Sequence, residues 1–176
     1  MKAVLISINP IWCDLIAAGK KTIEVRKTRP NLEVPFKVYI YCTQDKKGVF
    51  ANHNNWRGNG MVIGEFICDK IQPFDVPYPA FQGEIDKDIL ERSCLTYWQL
   101  HRYAYHDYLY LWHISNLKIY DRPKKICDFH KPCEDVVNCW NRAFREAGKC
   151  LDKCFDCGIR MKRPPQSWCY VEECSP

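Results

Sequence analysis

Residues 19–26 read G-K-K-T-I-E-V-R, and they bring a helix stop, a strand start and three ionised side chains into one short stretch. Upstream, Asn9 is followed by Pro10 and by apolar residues at Ile11, Trp12, Leu15 and Ile16. That order predicts a helix over residues 10–18, because Asn accepts a hydrogen bond as N-cap, proline suits the first helical position and Gly19 supplies a left-handed stop. Beyond it the chain alternates. Ile23 and Val25 therefore fall on one face of a strand, with Thr22, Glu24 and Arg26 on the other. Lys21 sits at the hinge, where its ammonium can reach the polar side. Such charges either form a network that pins the helix to the strand or line a ligand site, and spacing alone leaves both open.

Read as a site, the three groups have complementary chemistry. A Lys and a Glu held close across a partly desolvated pocket can share a proton, and the carboxylate can then act as base or acceptor. Arg26 offers a planar fork suited to phosphate or carboxylate. An aromatic such as Trp12, Tyr41 or Trp168 can stack on a ring, with Thr43 as a further polar contact, so the set suits a nucleotide. Glu65 stands out as an acid inside the apolar run 61–71, which otherwise reads as a strand buried on both faces.

The remaining pattern is strand-rich. Residues 1–8 read as a first strand, and residues 36–43 as a half-buried one with Val38, Ile40 and Cys42 opposite Lys37, Tyr39, Tyr41 and Thr43. Residues 44–60 form an expected exposed loop carrying His53 and Trp56, and the prolines of 73–79 an expected linker. Short helices are expected at 86–92 and 96–105, the second with Leu95, Trp98, Leu100 and Tyr103 inward. Strand character returns at 108–120, a helix with a Val136, Val137, Trp140 and Phe144 stripe follows at 135–147, and a last strand at 166–172 puts Trp168 and Tyr170 opposite Cys169 and Val171. Helices that gather beside strands rather than alternating with them make an α+β chain.

The net charge of +5 admits nucleic acid as a partner. Basic clusters at 20–21, 26–29, 46–47, 122–125 and 160–163 lie beside expected strand ends and together favour a phosphate-bearing ligand. With neither a signal peptide nor an apolar run long enough for a bilayer, the chain is expected to be cytoplasmic and not a membrane protein. In that compartment the 12 cysteines are core thiols or metal ligands rather than a disulfide framework. Cys13, Cys42, Cys68, Cys94 and Cys169 are scattered in apolar stretches and read as core. Cys127, His130, Cys133, Cys139, Cys150, Cys154 and Cys157 crowd together, and the C-x2-C-G at Cys154 resembles a zinc knuckle. Cys133, Cys150, Cys154 and Cys157 are the candidate ligands of one structural zinc, with Cys139 or His130 as substitutes, and a metal-free lobe is the alternative. Each histidine reads as structural or surface rather than catalytic.

The spacing G-x-K-x-x-E-x-R, filled by Gly19, Lys21, Glu24 and Arg26, resembles the signature of the ASCH domain, a branch of the PUA-like superfamily. Residues 110–120 and 164–173 resemble later strands of small ASCH proteins, many of them encoded by phages and mobile elements of low-GC Gram-positive bacteria. The resemblance implies a small PUA-like β-barrel over 1–125, a Cys-rich helical insertion at 126–162 and a final barrel strand within 163–176. It implies RNA or nucleotide binding through the Lys/Glu/Arg pocket. Some ASCH proteins hydrolyse N4-acylated cytidine with a Lys matching Lys21, a Thr three residues later and a downstream Glu, and others have been linked to RNA cleavage. Here Glu24 replaces the Thr, and an ionised carboxylate accepts hydrogen bonds without donating any. A nucleoside-directed hydrolase using Lys21, Glu24 and Glu65 is thus the alternative, and a protein-interaction module working through the insertion is a third.

The cysteine spacing makes one prediction. Protein purified without chelator is expected to carry close to one equivalent of zinc and to lose thermal stability when the metal is stripped. Elemental analysis that finds no metal would sink this assignment.

Overall fold

The computed structural model describes residues 1–44, 59–77, 85–105, 108–132 and 160–173. The expected helix at 135–147, the loop bearing His53 and Trp56, and the candidate ligands Cys133, Cys139, Cys150, Cys154 and Cys157 lie outside these residues.

The first strand, β1 (Lys2–Ile8), is buried at every position from Ala3 to Ile8, so both of its faces are covered. β3 (Phe36–Cys42) runs parallel to one side of it and β6 (Trp168–Glu172) antiparallel to the other. Antiparallel ladders join β3 to β4 (Val62–Phe74), β4 to β5 (Leu109–Lys124) and β5 to β2 (Ile23–Arg26). The result is one mixed six-stranded sheet in the order β2-β5-β4-β3-β1-β6. Three helices accompany it among the described residues: α1 (Pro10–Ala17), α2 (Lys87–Ser93) and α3 (Tyr97–Ala104). The expected α+β class is the observed one. None of these helices is long and apolar enough to cross a membrane.

Around β1 and β3 the pleat sorts the core into two layers. Val4, Ile6 and Ile8 of β1 pack with Cys13 and Ile16 of α1, with Val38, Ile40 and Cys42 of β3, and with Phe66 and Trp112. Ala3 and Leu5 face the other way, against Tyr39, Tyr41, Val62, Phe129, Met161 and Val171. That second layer explains why β3 is buried on both faces rather than half-buried as its alternation suggests. Tyr39 supplies the apolar surface, its ring 5.0 Å from that of Phe129 in an edge-to-face contact. β6 follows its predicted alternation, with Trp168 and Tyr170 packed on the first layer and Cys169 on the second.

Two further expectations are corrected. The prolines do not begin a linker at Pro73, because β4 continues through it and pairs Pro73 with Tyr110. β3 accompanies β4 only as far as Cys68, and where a strand keeps a single neighbour a missing N–H is tolerated. On α3 the inward residues are Tyr97, Leu100 and Ala104, while Trp98 is 60 % exposed and Tyr103 40 %. A capping box, with Thr96 as N-cap and Gln99 as its reciprocal partner, sets the phase of that helix.

Gly64 shows how tightly β4 and β5 meet. A Cβ at this position would collide with the backbone carbonyl of Lys118, which cannot swing away as a side chain could. Gly64→Ala is expected to cost about 1–3 kcal/mol in chemical denaturation, as overpacking does. Gly19 has open space around it and a φ of +70°, so Gly19→Ala should cost only its backbone strain, about 1–2 kcal/mol. Equal stability of Gly64→Ala and wild type would show that the two strands can part locally.

Candidate ligand-binding site

All four residues of β2 are buried. Ile23 and Val25 pack with Leu100, Ala104, Leu109 and Leu111, which turns Glu24 and Arg26 to the opposite face. Lys21 joins them because α1 ends as predicted. The Asn9 side chain caps the start of the helix, and at its end the amides of Lys20 and Lys21 both donate to the Leu15 carbonyl while Gly19 adopts positive φ. The chain thus doubles back into β2 and carries the Lys21 ammonium inward.

The three charges form a linear network. Arg26 Nη2 lies 3.0 Å from Glu24 Oε1, and Lys21 Nζ lies 3.4 Å from Glu24 Oε2. Lys21 also donates to the Ser93 carbonyl at the end of α2 over 2.7 Å, and its Nζ stands 5.3 Å from the centre of the Trp12 ring. Arg26 Nη2 donates to the Ser7 carbonyl of β1 over 2.7 Å, and Nη1 to Ser167 Oγ over 3.4 Å. With Lys21, Glu24 and Arg26 exposed by only 2, 6 and 8 %, water screens the network little. Removing one partner of such a buried group leaves an uncompensated charge, a loss of about 3–5 kcal/mol.

Arg26 has a second role in the architecture. It stands on β2, at one end of the sheet order, while Ser7 belongs to β1 and Ser167 directly precedes β6 at the other end. The sheet therefore curls far enough for its two ends to meet through a side chain. No backbone ladder joins β2 to β6 among the described residues.

Above the network opens a cavity of about 290 Å³. Its walls are the end of β1 with Ser7 and Ile8, the start of α1 with Asn9 and Trp12, and the Leu95, Gln99 and Tyr103 side of α3. Two cations against one carboxylate leave it with net positive charge. Trp12 and Tyr103 supply aromatic surface, and Gln99 supplies an amide whose Oε1 is already committed to the Thr96 amide over 2.8 Å.

Of the residues singled out from sequence, Lys21, Glu24, Arg26 and Trp12 line this cavity together. Thr43 comes close without lining it, its amide donating to the Ile8 carbonyl. Trp168 is held elsewhere, with Nε1 donating to Thr28 Oγ1 and its ring 6.1 Å from that of Trp112. Tyr41 is buried in the second core layer, where burial raises its phenol above the ordinary range. Glu65 pairs directly with Tyr39 across the ladder and shares its face, on the far side of the sheet from Ile8 and Trp12. There it accepts from the Tyr120 hydroxyl and lies 3.9 Å from Lys37, which also meets Glu173 at 2.9 Å. Sequence reasoning missed Gln99 and Tyr103 as lining residues. Their signal was the spacing of Gln99 and Tyr103, four residues apart and so on one face of α3.

Of the described thiols, Cys13, Cys42 and Cys68 are buried core groups, whereas Cys94, expected in the core, is half-buried at the end of α2, and Cys127 and Cys169 are half-buried too. Burial pushes Cys13 well up, helped by Cys42 beside it, and pushes Cys68 up to about 12. No group of three metal-ligating side chains occurs among the described residues. Burial and nearby cations set His113 apart among the described residues. It sits on β5 with Nδ1 3.3 Å from Arg92 Nη2, an arrangement that makes Nδ1 the acceptor and puts the neutral ring's proton on Nε2. Arg92 in turn bonds Thr22 Oγ1 and Asp88, tying α2 to the chain beside Lys21.

No protein-family model matches the sequence. No curated protein matches it either. The solved structures do. The chain is similar to the crystal structure of ASCH from Zymomonas mobilis, with a TM-score of 0.58 at 17 % identity over 97 % of this chain and 88 % of that one. Two single-site variants of the same protein match with TM-scores of 0.55 and 0.56 at 16 % identity, covering 98 and 97 % of this chain and 92 and 89 % of theirs. The chain has the ASCH fold over nearly its whole length.

The Arg92 contact carries a pH prediction. Burial first, then the Arg92 guanidinium and Lys70, lower the His113 pKa below 6.5, against smaller opposing pulls from Asp69 and Asp88. A folded-state pKa below the unfolded one means that the unfolded chain binds more protons. Stability therefore falls as pH drops below about 6.5 and stops falling below the folded-state pKa. Denaturant midpoints taken from neutral to mildly acidic pH should show this slope in wild type and a shallower one in His113→Gln. Identical slopes would remove His113 from the account.

Proposed function

We propose that this chain binds RNA, or a free or modified nucleotide, in the cavity above Lys21, Glu24 and Arg26. One observation carries the reading: a buried carboxylate braced between two cations at the floor of an open, positively charged cavity that has aromatic walls. Net positive charge favours a phosphate-bearing ligand. The π-face of Trp12 or Tyr103 suits a base, and Glu24 can accept from an amino or imino group on the base edge. Arg26 engages Ser7, Ser167 and Glu24 through its two terminal nitrogens, while its buried Nε finds no partner among the described residues, so its main part is to orient the acid, and phosphate falls to the exposed Lys20, Lys27 and Arg29 near β2. We read the curled sheet as the PUA-like barrel that the ASCH fold implies.

The hydrolase reading has weaker support. Lys21 meets a carboxylate, a carbonyl and an indole face, all partners for a cation rather than for a free amine. Glu65, its expected acid, faces the other side of the sheet. The interaction-module reading and the zinc site depend on the insertion and remain proposals outside the described residues.

Titration calorimetry with nucleoside monophosphates tests the site. Wild type is expected to bind at least one of them, with Glu24→Gln and Trp12→Ala each about tenfold weaker or worse, a loss of about 1.4 kcal/mol. Thermal melts of the variants separate lost binding from lost folding. If wild type binds neither mononucleotides nor RNA, the cavity serves another ligand.

A further inference from the structure

Three buried polar atoms on neighbouring side chains have no hydrogen bond among the described residues: Trp112 Nε1, Arg26 Nε and Glu24 Oε2. Trp112 is fully buried and stands directly opposite Glu24 in the β2–β5 ladder, so the two side chains share a face of the sheet. Arg26 lies two residues further along β2, on that same face. Both long side chains reach the same short segment. Arg26 Nη1 donates to Ser167 Oγ, and the Trp112 ring packs 6.1 Å from that of Trp168, the next residue.

The geometry of the ion pair explains why Nε is left over. A carboxylate can meet a guanidinium with both oxygens, but here Oε1 takes Nη2 while Oε2 turns toward Lys21, at 3.4 Å and without a hydrogen bond. An indole N–H and a guanidinium N–H can only donate, and an ionised carboxylate oxygen only accepts. Left unanswered in the interior, each is costly. A group that answers all three must accept twice and donate at least once. A water molecule does so, since buried waters commonly make about three hydrogen bonds. A small anion cannot donate, and the Glu24 charge would repel it. The hydroxyls nearby are engaged, Ser7 Oγ with the Pro165 carbonyl over 2.6 Å and Ser167 Oγ with Arg26 Nη1.

We infer that this point is a binding site for one internal water molecule, which accepts from Trp112 Nε1 and Arg26 Nε and donates to Glu24 Oε2. Through it the indole N–H steadies the second oxygen of the carboxylate, as Arg26 Nη2 steadies the first. The buried tryptophan thereby reaches the charge network without touching it. The water site stands whatever the cavity binds, so its test does not depend on the ligand reading.

Water-selective NMR on the full chain with isotope-labelled tryptophan tests this. The Trp112 indole is picked out from the 6 tryptophans by its loss in Trp112→Phe or, where that variant does not fold, by sequential assignment of wild type. Its N–H proton should show a cross-peak to water that changes sign between NOESY and ROESY spectra, the mark of a bound molecule rather than of proton exchange. The cross-peak should persist in Ser167→Ala, which lacks the hydroxyl that could relay it. A crystal structure should place one water within hydrogen-bond distance, about 2.7–3.2 Å, of all three atoms. Absence of the cross-peak, or its loss in Ser167→Ala, overturns the inference, as does a protein acceptor found on either N–H. An anomalous peak between the two donors in crystals grown in bromide would assign the point to an anion and also overturns it.

Discussion

The guanidinium of Arg26 is the contact on which the rest of the architecture depends. It joins β2 to β1 and to the segment entering β6, and so draws together the two ends of a sheet that no backbone ladder closes among the described residues. A buried arginine needs a counter-charge, and Glu24 supplies it from the same face of the same strand. Glu24 in turn holds Lys21, whose ammonium docks on the carbonyl that ends α2. A single chain of charge thus runs from the edge of the sheet to a helix terminus, and α1, α2 and both ends of the sheet meet around it.

In this arrangement the structural brace and the candidate site are the same object. An ion network that only pinned a helix to a strand would gain by being sealed under apolar side chains, since replacing buried pairs with packed hydrophobes is often neutral or favourable. Here the network instead forms the floor of a cavity with an indole at one side and a phenol at the other. The two readings that the spacing alone left open are therefore compatible. The charges brace the fold, and the same bracing pre-orients a carboxylate toward whatever enters, at no reorganisation cost when it arrives.

Much of the chain was legible for local reasons. The Asn9 cap, Pro10 and Gly19 bounded α1, and the period-two pattern set the faces of β2 and β6. The segment 96–105 was legible as a helix, but its exposed aromatics looked like core because hydrophobicity alone does not distinguish a core ring from an exposed one. The errors share a cause. β3 looked half-exposed, Pro73 looked like an end, and Glu65 and Tyr41 looked like companions of Glu24, because each judgement depended on which distant element would lie alongside.

By itself the sequence determined that Lys21, Glu24 and Arg26 would gather on one side of a strand beside a helix stop. Covalent geometry alone turns alternate side chains to one face, and a glycine at positive φ reverses the chain there. Only the tertiary structure decided what those charges would meet. Ser93 lies 72 residues from Lys21, and Ser167 lies 141 from Arg26. No local preference spans such distances; they are closed when both faces of the sheet are buried at once, and that global packing selected the carbonyls, the cavity and the α3 wall that surround these charges.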